Sequence, residues 1–219
     1  KIFALRAPEL DREYREHYRF FSEADSTASE MRCFFSLNPK KDKRYLNWGA
    51  GTWSGAVEQL RSQGWDVWAY DPFVHGHGER PFSYQSWNDL QHQSFDGIFS
   101  HNVLEHLLDP VLDLRAMAAL LRPGGRMAHA TPCWEYLFEY TRFHVFFYRG
   151  RSREVLLEQA GLKALHWQAD WEAQGAPFLN LVAAKVGDEQ AAMSQEDWLA
   201  IGTNAKPDLR PLSISYAQN

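Results

Sequence analysis

The sequence predicts an α/β fold around a mainly parallel sheet, and three observations carry that prediction. The 219 residues are 45% hydrophobic, enough for a sizeable core in one large domain. Short apolar runs alternate with segments of helical period, the pattern of strand–helix–strand units. Arg44 to Phe73 reads RYLNWGAGTWSGAVEQLRSQGWDVWAYDPF: an apolar strand, a Gly49-Ala50-Gly51 turn, a helical stretch, and a second strand ending at Asp71. Such a unit builds a nucleotide site. Its glycines let the backbone approach a ligand at the start of the helix, and its carboxylate accepts hydrogen bonds from both hydroxyls of a ribose. Asp71 follows Gly51 by 20 residues, the distance one helix and one strand require.

The elements follow in order. Residues 9 to 22 read as an amphipathic helix, with Leu10, Tyr14, Tyr18 and Phe21 on one side. A second helix is expected from Ser26 to Leu37, capped by Ser26 or Thr27. Together they make residues 1–43 a helical lid or wrap. The first strand is Tyr45 to Trp48, its helix Trp53 to Gln63 with Val57 and Leu60 toward the sheet, and the second strand Asp66 to Tyr70. The stretch from Pro72 to Pro81 is rich in Gly and Pro and has no helical period, so the helix usual at that point is expected to be lost or shrunken. The third strand is placed near Phe82 to Gln85 and the fourth at Gly97 to Ser100. A helix follows from Pro110 to Leu121, with proline in its favoured first turn, and then a fifth strand from Arg126 to Ala130. Trp134 to Tyr148, WEYLFEYTRFHVFFY, is an aromatic insertion. A helix from Ser152 to Ala160 stops at Gly161, and strands cover Leu162 to Gln168 and Phe178 to Lys185. Residues 44–187 thus form the main domain. Residues 188–219 are polar and irregular, with one helical stretch at Ser194 to Ile201, and are expected to pack on it.

The Gly-x-Gly alone leaves the ligand open. A dinucleotide fingerprint is G-x-G-x-x-G; here Ser54 takes the last place, and Trp53 would crowd a diphosphate at the first helical turn. Three further blocks narrow the choice: FDGIFSHNVLEHLLDP from Phe95 to Pro110, LRPGGRMAHATP from Leu121 to Pro132, and SREVLLEQAGL from Ser152 to Leu162. In order and spacing they resemble class I S-adenosylmethionine-dependent methyltransferases, within them the small-molecule, ubiquinone-type branch. The resemblance runs from Tyr45 to Val186.

That resemblance implies a Rossmann-like seven-stranded sheet of order 3-2-1-4-5-7-6, strand seven antiparallel, with helices on both faces. It implies S-adenosyl-L-methionine as cofactor and S-adenosyl-L-homocysteine as product. Gly49, Ala50 and Gly51 would wrap the methionine end, Asp71 would hold the ribose, and Pro72 and Phe73 would border the adenine. Ser86 stands where the family often has an acidic residue facing the adenine amine, and Trp87 would stack on the ring. Ser100, His101 and Asn102 would pass under the methyl group. Asn47 stands where the family usually has Asp or Glu, so an acceptor is kept but the charge facing the cofactor's ammonium is lost. Trp53 stands in place of the third glycine. These two departures support an alternative reading, a nonenzymatic methyltransferase-like domain acting through partners.

Composition bounds the remaining classes. A formal charge of −5 argues against binding a phosphate backbone. No stretch approaches the ~20 apolar residues of a membrane span, and Lys1 to Leu5 is too short for a signal core. Cys33 and Cys133 give neither a disulfide framework nor zinc spacing. A cytoplasmic monomer or homodimer acting on a small acceptor is expected. Of nine histidines, His75 and His77 make an H-x-H pair without a third ligand, so no metal is expected. His129 reads as buried, and His106 either orients the following helix or touches substrate. His101, just past the fourth strand, and His144, in the aromatic insertion, are the candidates for acceptor-side catalysis. The insertion, aromatic and poor in charge, is expected to line the acceptor pocket with the first helix.

Overall fold

Alternation sets the centre of the sheet. In the computed structural model, β1 (Arg44–Trp48) sends Leu46 and Trp48 to one face and Tyr45 to the other, and all are buried. The structure describes residues 9, 12–13, 15–16, 25–51, 54–72, 81–132, 144–148, 150–170 and 178–187, with the backbone alone at 169, 170 and 178. The other strands are β2 (Asp66–Tyr70), β3 (Ser83–Tyr84), β4 (Phe95–His101), β5 (Leu121–Pro132), β6 (Leu162–Asp170) and β7 (Phe178–Lys185). The sheet order is β3-β2-β1-β4-β5-β7-β6. The first five strands in that order pair parallel, and β7 runs antiparallel to both neighbours. This is the topology the family resemblance implied.

Helices cover both faces. On one, α1 (Thr27–Phe35) and α2 (Gly55–Ser62) enclose Cys33, Phe34, Tyr45, Val57, Leu60 and Phe99. On the other, α4 (Pro110–Leu120) and α5 (Ser152–Gln159) enclose Leu46, Ile98, Leu114, Met117, Met127 and Leu157. Phe34 fixes α1 in place. It is fully buried, with rings of Phe35, Tyr45, Trp65 and Phe99 edge-on at 5.1–5.4 Å. Burying such a ring is worth roughly 2–3 kcal/mol, and each edge-on pair adds about 0.5–1.5 kcal/mol. Helix α1 is therefore part of the core as well as a cover. Upstream of it, Glu9, Arg12, Glu13, Arg15 and Glu16 are helical, and the remaining residues of the expected helix at 9–22 lie outside the described set.

Several boundaries differ from expectation for local reasons. Neither Ser26 nor Thr27 caps α1; the Thr27 amide donates to Asp25 Oδ1 at 2.9 Å, and the Ser26 hydroxyl turns to Glu30. Helix α2 begins at Gly55 rather than Trp53, because the Ser54 hydroxyl accepts from the Val57 amide at 3.2 Å and closes the first turn. A short helix, α3 (Trp87–Leu90), was not foreseen; Ser86 caps it and Leu90 anchors it in the core. The Pro123-Gly124-Gly125 block lies inside β5. Leu121 pairs with Phe95, the ladder resumes at Arg126 with Gly97, and the residues between form a bulge. Residues 73–80, 133–143, 171–177 and 188–219, which include His75, His77, Cys133 and most of the aromatic insertion, lie outside the described residues.

Two buried histidines and one carboxyl contribute to the acid stability. Burial, and for His101 also the Arg32 charge, pushes the pKa of His101 and of His129 down to about 4 from 6.5. Burial and then Asp109 push Asp113 up to about 6 from 3.8. From these three groups unfolding takes up two histidine protons and releases one carboxyl proton between pH 6 and 4, a net uptake of about one, and His166, which burial also lowers, acts in the same direction. Stability should fall as the pH drops through that window, by up to about 1.4 kcal/mol per pH unit. His129→Gln leaves one histidine against one carboxyl and should flatten the slope. Urea melts at pH 7 and pH 5 check this; equal stability at both would contradict it.

Candidate active site

The turn after β1 is built from bonds to the end of β2. The amides of Gly49 and Ala50 both donate to the Tyr70 carbonyl, at 2.8 and 3.1 Å. Gly49 and Gly51 have φ of 72° and 66°, in the left-handed region that favours glycine. A Cβ on Gly49 would lie 2.5 Å from Val103 Cγ2, so the loop after β4 packs directly on this glycine. Among the described residues, a Cβ on Gly51 would meet nothing within 4 Å. The Gly51 amide donates to Asp71 Oδ2 at 2.8 Å, which holds the carboxylate at the mouth of the loop. Pro72 lies exposed beside it. A cavity of about 260 Å3 reaches Gly51 and Asp71 and extends between α2, β2 and β3 along Val57, Ala69 and Tyr84.

Asn47 is buried and belongs to a polar knot that the sequence did not reveal. Its Nδ2 donates to Glu30 Oε2 at 2.8 Å and to the Ser54 hydroxyl at 3.2 Å. Ser54 donates to the same Glu30 oxygen at 2.7 Å, and Ser26 donates to Oε1 at 2.5 Å. Helix α1 can bring Glu30 this close because Gly55 has no side chain; a Cβ there would lie 2.5 Å from Thr27 Oγ1. A carboxylate thus stands against the amide that occupies the family's acidic position. The signal that could have found it is weak: a lone Glu on a helix whose docking is visible only in three dimensions.

At the end of β4, His101 is half-buried and near enough to Arg32 for that charge to lower its pKa. Asn102 follows with φ 54°, a conformation asparagine tolerates better than most, and its amide donates to the Ala130 carbonyl at 2.9 Å. The next turn, a 3-10 turn from Leu104 to His106, carries a fully buried Glu105. The Thr131 hydroxyl, at the end of β5, donates to Glu105 Oε2 at 2.7 Å. His144 is placed beside His106, with ring centroids 4.7 Å apart and edge to face. His129 is buried, its Nδ1 2.8 Å from the Ser100 hydroxyl. The Ser86 hydroxyl accepts from the Asn88 amide at 3.1 Å, and exposed Trp87 meets Trp48 edge-on at 6.3 Å. Trp53 lies outside the described residues.

Residues 14–167 match the model of a methyltransferase domain family. The chain belongs to that family, and with this sheet it is a class I S-adenosylmethionine-dependent methyltransferase. Its cofactor is S-adenosylmethionine and its product S-adenosylhomocysteine. Compared with curated proteins, the sequence has no match. Among solved structures it is similar to 1,6-didemethyltoxoflavin-N1-methyltransferase of Burkholderia thailandensis, bound to 1,6-didemethyltoxoflavin and S-adenosylhomocysteine. The TM-score is 0.60 at 20% identity, over 83% of this chain and 91% of that one. Magnesium protoporphyrin IX methyltransferase of Synechocystis PCC 6803, with bound S-adenosylmethionine, gives a TM-score of 0.55 at 12% identity, over 83% and 98% of the two chains. Mitomycin 7-O-methyltransferase gives 0.56 at 14% identity, over 80% and 59%. At these identities the likeness is one of fold. Among the described residues no helix is long and apolar enough to cross a membrane.

Gly49→Ala should destabilise the protein by about 2 kcal/mol or more, from backbone strain together with the clash on Val103. Adding Val103→Ala should recover the steric part and leave the strain. Chemical denaturation of the wild type and the two variants checks this; an unaltered stability in Gly49→Ala would mean that the loop does not hold its left-handed turn.

Proposed function

We propose that this enzyme transfers a methyl group to a small, partly apolar acceptor held over the C-terminal ends of β4 and β5, where ligands of open α/β sheets bind. The observation that carries the reading is the Asp71 carboxylate, pinned by the Gly51 amide at the mouth of a cavity that both residues line. When bound, S-adenosylmethionine supplies a methyl group already activated on a sulfonium, so the protein's part is chiefly alignment. Gly49, Ala50 and Gly51 pass along its methionine end, and Asp71 accepts the ribose hydroxyls. Pro72, Ser86 and Trp87 border the adenine, and Asn102 lies under the reacting centre. Asn47 presents an amide, and Glu30 supplies through it the negative charge that the ammonium group calls for.

His101 and His144 act on the acceptor, His101 as a neutral imidazole at pH 7 and His144 from the segment after β5. The described part of that segment, residues 144–148, is tied to the turn after β4, because the Val145 amide donates to the Glu105 carbonyl and the Tyr148 hydroxyl to the Leu104 carbonyl; Tyr148 itself is buried in the core, and the tie supports a place for His144 beside that turn. The toxoflavin and porphyrin enzymes among the similar folds are named for small acceptors, which supports the same class here. In this reading residues 44–187 are the catalytic unit, residues 1–43 wrap it, and residues 188–219 pack on its surface. It works in the cytoplasm as a monomer or homodimer, without nucleic acid.

Calorimetric titration with S-adenosylhomocysteine tests the cofactor half. Asp71→Ala is expected to weaken binding by about 1.5–3 kcal/mol, the scale for hydrogen bonds to a charged group. Wild-type affinity in that variant would mean that the ribose lies elsewhere.

Glu30→Gln should weaken the same ligand by about 1 kcal/mol or more through loss of charge. The double variant Glu30→Gln with Asn47→Asp, which moves the carboxylate back to β1, should recover most of the loss. Equal affinity in wild type and Glu30→Gln would remove Glu30 from the cofactor site.

A further inference from the structure

Glu105, His106 and His144 bring one carboxylate oxygen and two imidazole nitrogens within 4.8 Å of one another. Backbone bonds build this constellation. Glu105 and His106 are neighbours in the 3-10 turn after β4. The segment carrying His144 is tied to that turn at both ends: the Val145 amide donates to the Glu105 carbonyl at 2.7 Å, and the Tyr148 hydroxyl to the Leu104 carbonyl at 2.9 Å. Thr131 holds Glu105 Oε2, and the other oxygen, Oε1, lies 3.9 Å from His106 Nε2.

We propose that Glu105, His106 and His144 form a three-ligand site for a divalent transition ion of the zinc class, with an open position that takes an oxygen or nitrogen of the acceptor. Two histidines and one glutamate are a donor set that catalytic zinc sites use, leaving a fourth place for an exogenous ligand. Two imidazoles select a first-row transition ion over magnesium or calcium, which prefer oxygen donors. A tetrahedral ion with bonds of 2.0–2.2 Å spaces its ligand atoms about 3.4 Å apart. Both histidine rings are half-buried, and a small rotation about χ1 or χ2 closes the difference. The ion's charge also offsets the cost of burying the Glu105 carboxylate fully. Thr131 orients that carboxylate, as outer hydrogen-bond partners of metal ligands do.

Position gives the site its use. The turn follows Val103, which packs on Gly49, so the ion stands at the acceptor side of the glycine loop. A hydroxyl bound to it ionises more easily and releases its proton to solvent. His144 then acts on the acceptor as a ligand of the ion. Two ligands two residues or fewer apart and a third in a distant loop give no zinc spacing in sequence, which is why no metal was expected from it. The acceptor's part in this proposal rests on the reading above; the binding of the ion does not.

The test is titration of the chelator-treated full chain with Co2+, followed by Zn2+. One equivalent of Co2+ should give the visible bands of a four- or five-coordinate ion, and Zn2+ should displace them. His106→Ala and His144→Ala should each weaken Co2+ binding at least tenfold, and Thr131→Val by roughly tenfold. The His75→Ala/His77→Ala double variant should leave the bands unchanged. Absence of bands at stoichiometric Co2+, bands that survive in His106→Ala/His144→Ala, or bands lost with His75 and His77 would each overturn the site. Affinity for S-adenosylhomocysteine, measured on the same variants, should stay at the wild-type value. Failure of the metal site therefore reads separately from failure of the cofactor site, which Asp71→Ala reports.

Discussion

The site depends on one constraint: two consecutive amides, those of Gly49 and Ala50, share the carbonyl of Tyr70. That carbonyl ends β2, which pairs in parallel with β1 from Arg44 to Trp48. The last rung of the ladder thus becomes the first bond of the loop. Because the loop is fixed there, the Gly51 amide meets Asp71 and Val103 meets Gly49. The sheet's hydrogen-bond register reaches the ligand-facing backbone without an intervening flexible step. A residue change at the glycine loop is therefore expected to be felt as a change in fold stability.

Two polar knots stand on opposite faces of the sheet at its C-terminal edge. Glu30, Asn47, Ser54 and Ser26 lie under α1, and Glu105, Thr131, His106 and His144 lie near α4. Each places a carboxylate in partly or wholly buried surroundings: Glu30 accepts from the Asn47 amide and the Ser54 and Ser26 hydroxyls, and Glu105 from the Thr131 hydroxyl. Ionised carboxylates in such places are costly unless satisfied, and here each receives at least one neutral donor.

The strands were legible because side-chain period and burial agree. β2 and β7 have the limits read from the sequence, and β1 begins one residue early. The fifth strand was expected to begin at Arg126, after the Pro-Gly-Gly block, because composition cannot distinguish a break between elements from a bulge within a strand. Helix α3 escaped notice because four residues cannot establish a period. At the site, Gly49, Gly51 and Asp71 were legible because they lie within a single strand–helix–strand unit. Glu30 and the pairing of His106 with His144 were not. Both depend on segments far apart in sequence meeting across a sheet edge, and no local pattern encodes that meeting.

The helix that carries Glu30 is seated by Phe34, one turn further along, in a cluster of aromatic rings. A carboxylate delivered by a docked helix makes docking and pocket charge one equilibrium. On the proposed reading, whatever loosens α1, whether heat or a substitution among those rings, would also withdraw the Glu30 charge from Asn47. Linkage makes the relation reciprocal, so a cation in the pocket tightens the helix on the sheet. The N-terminal segment thereby becomes a thermodynamic handle on the glycine loop, one that works without any movement of the loop itself.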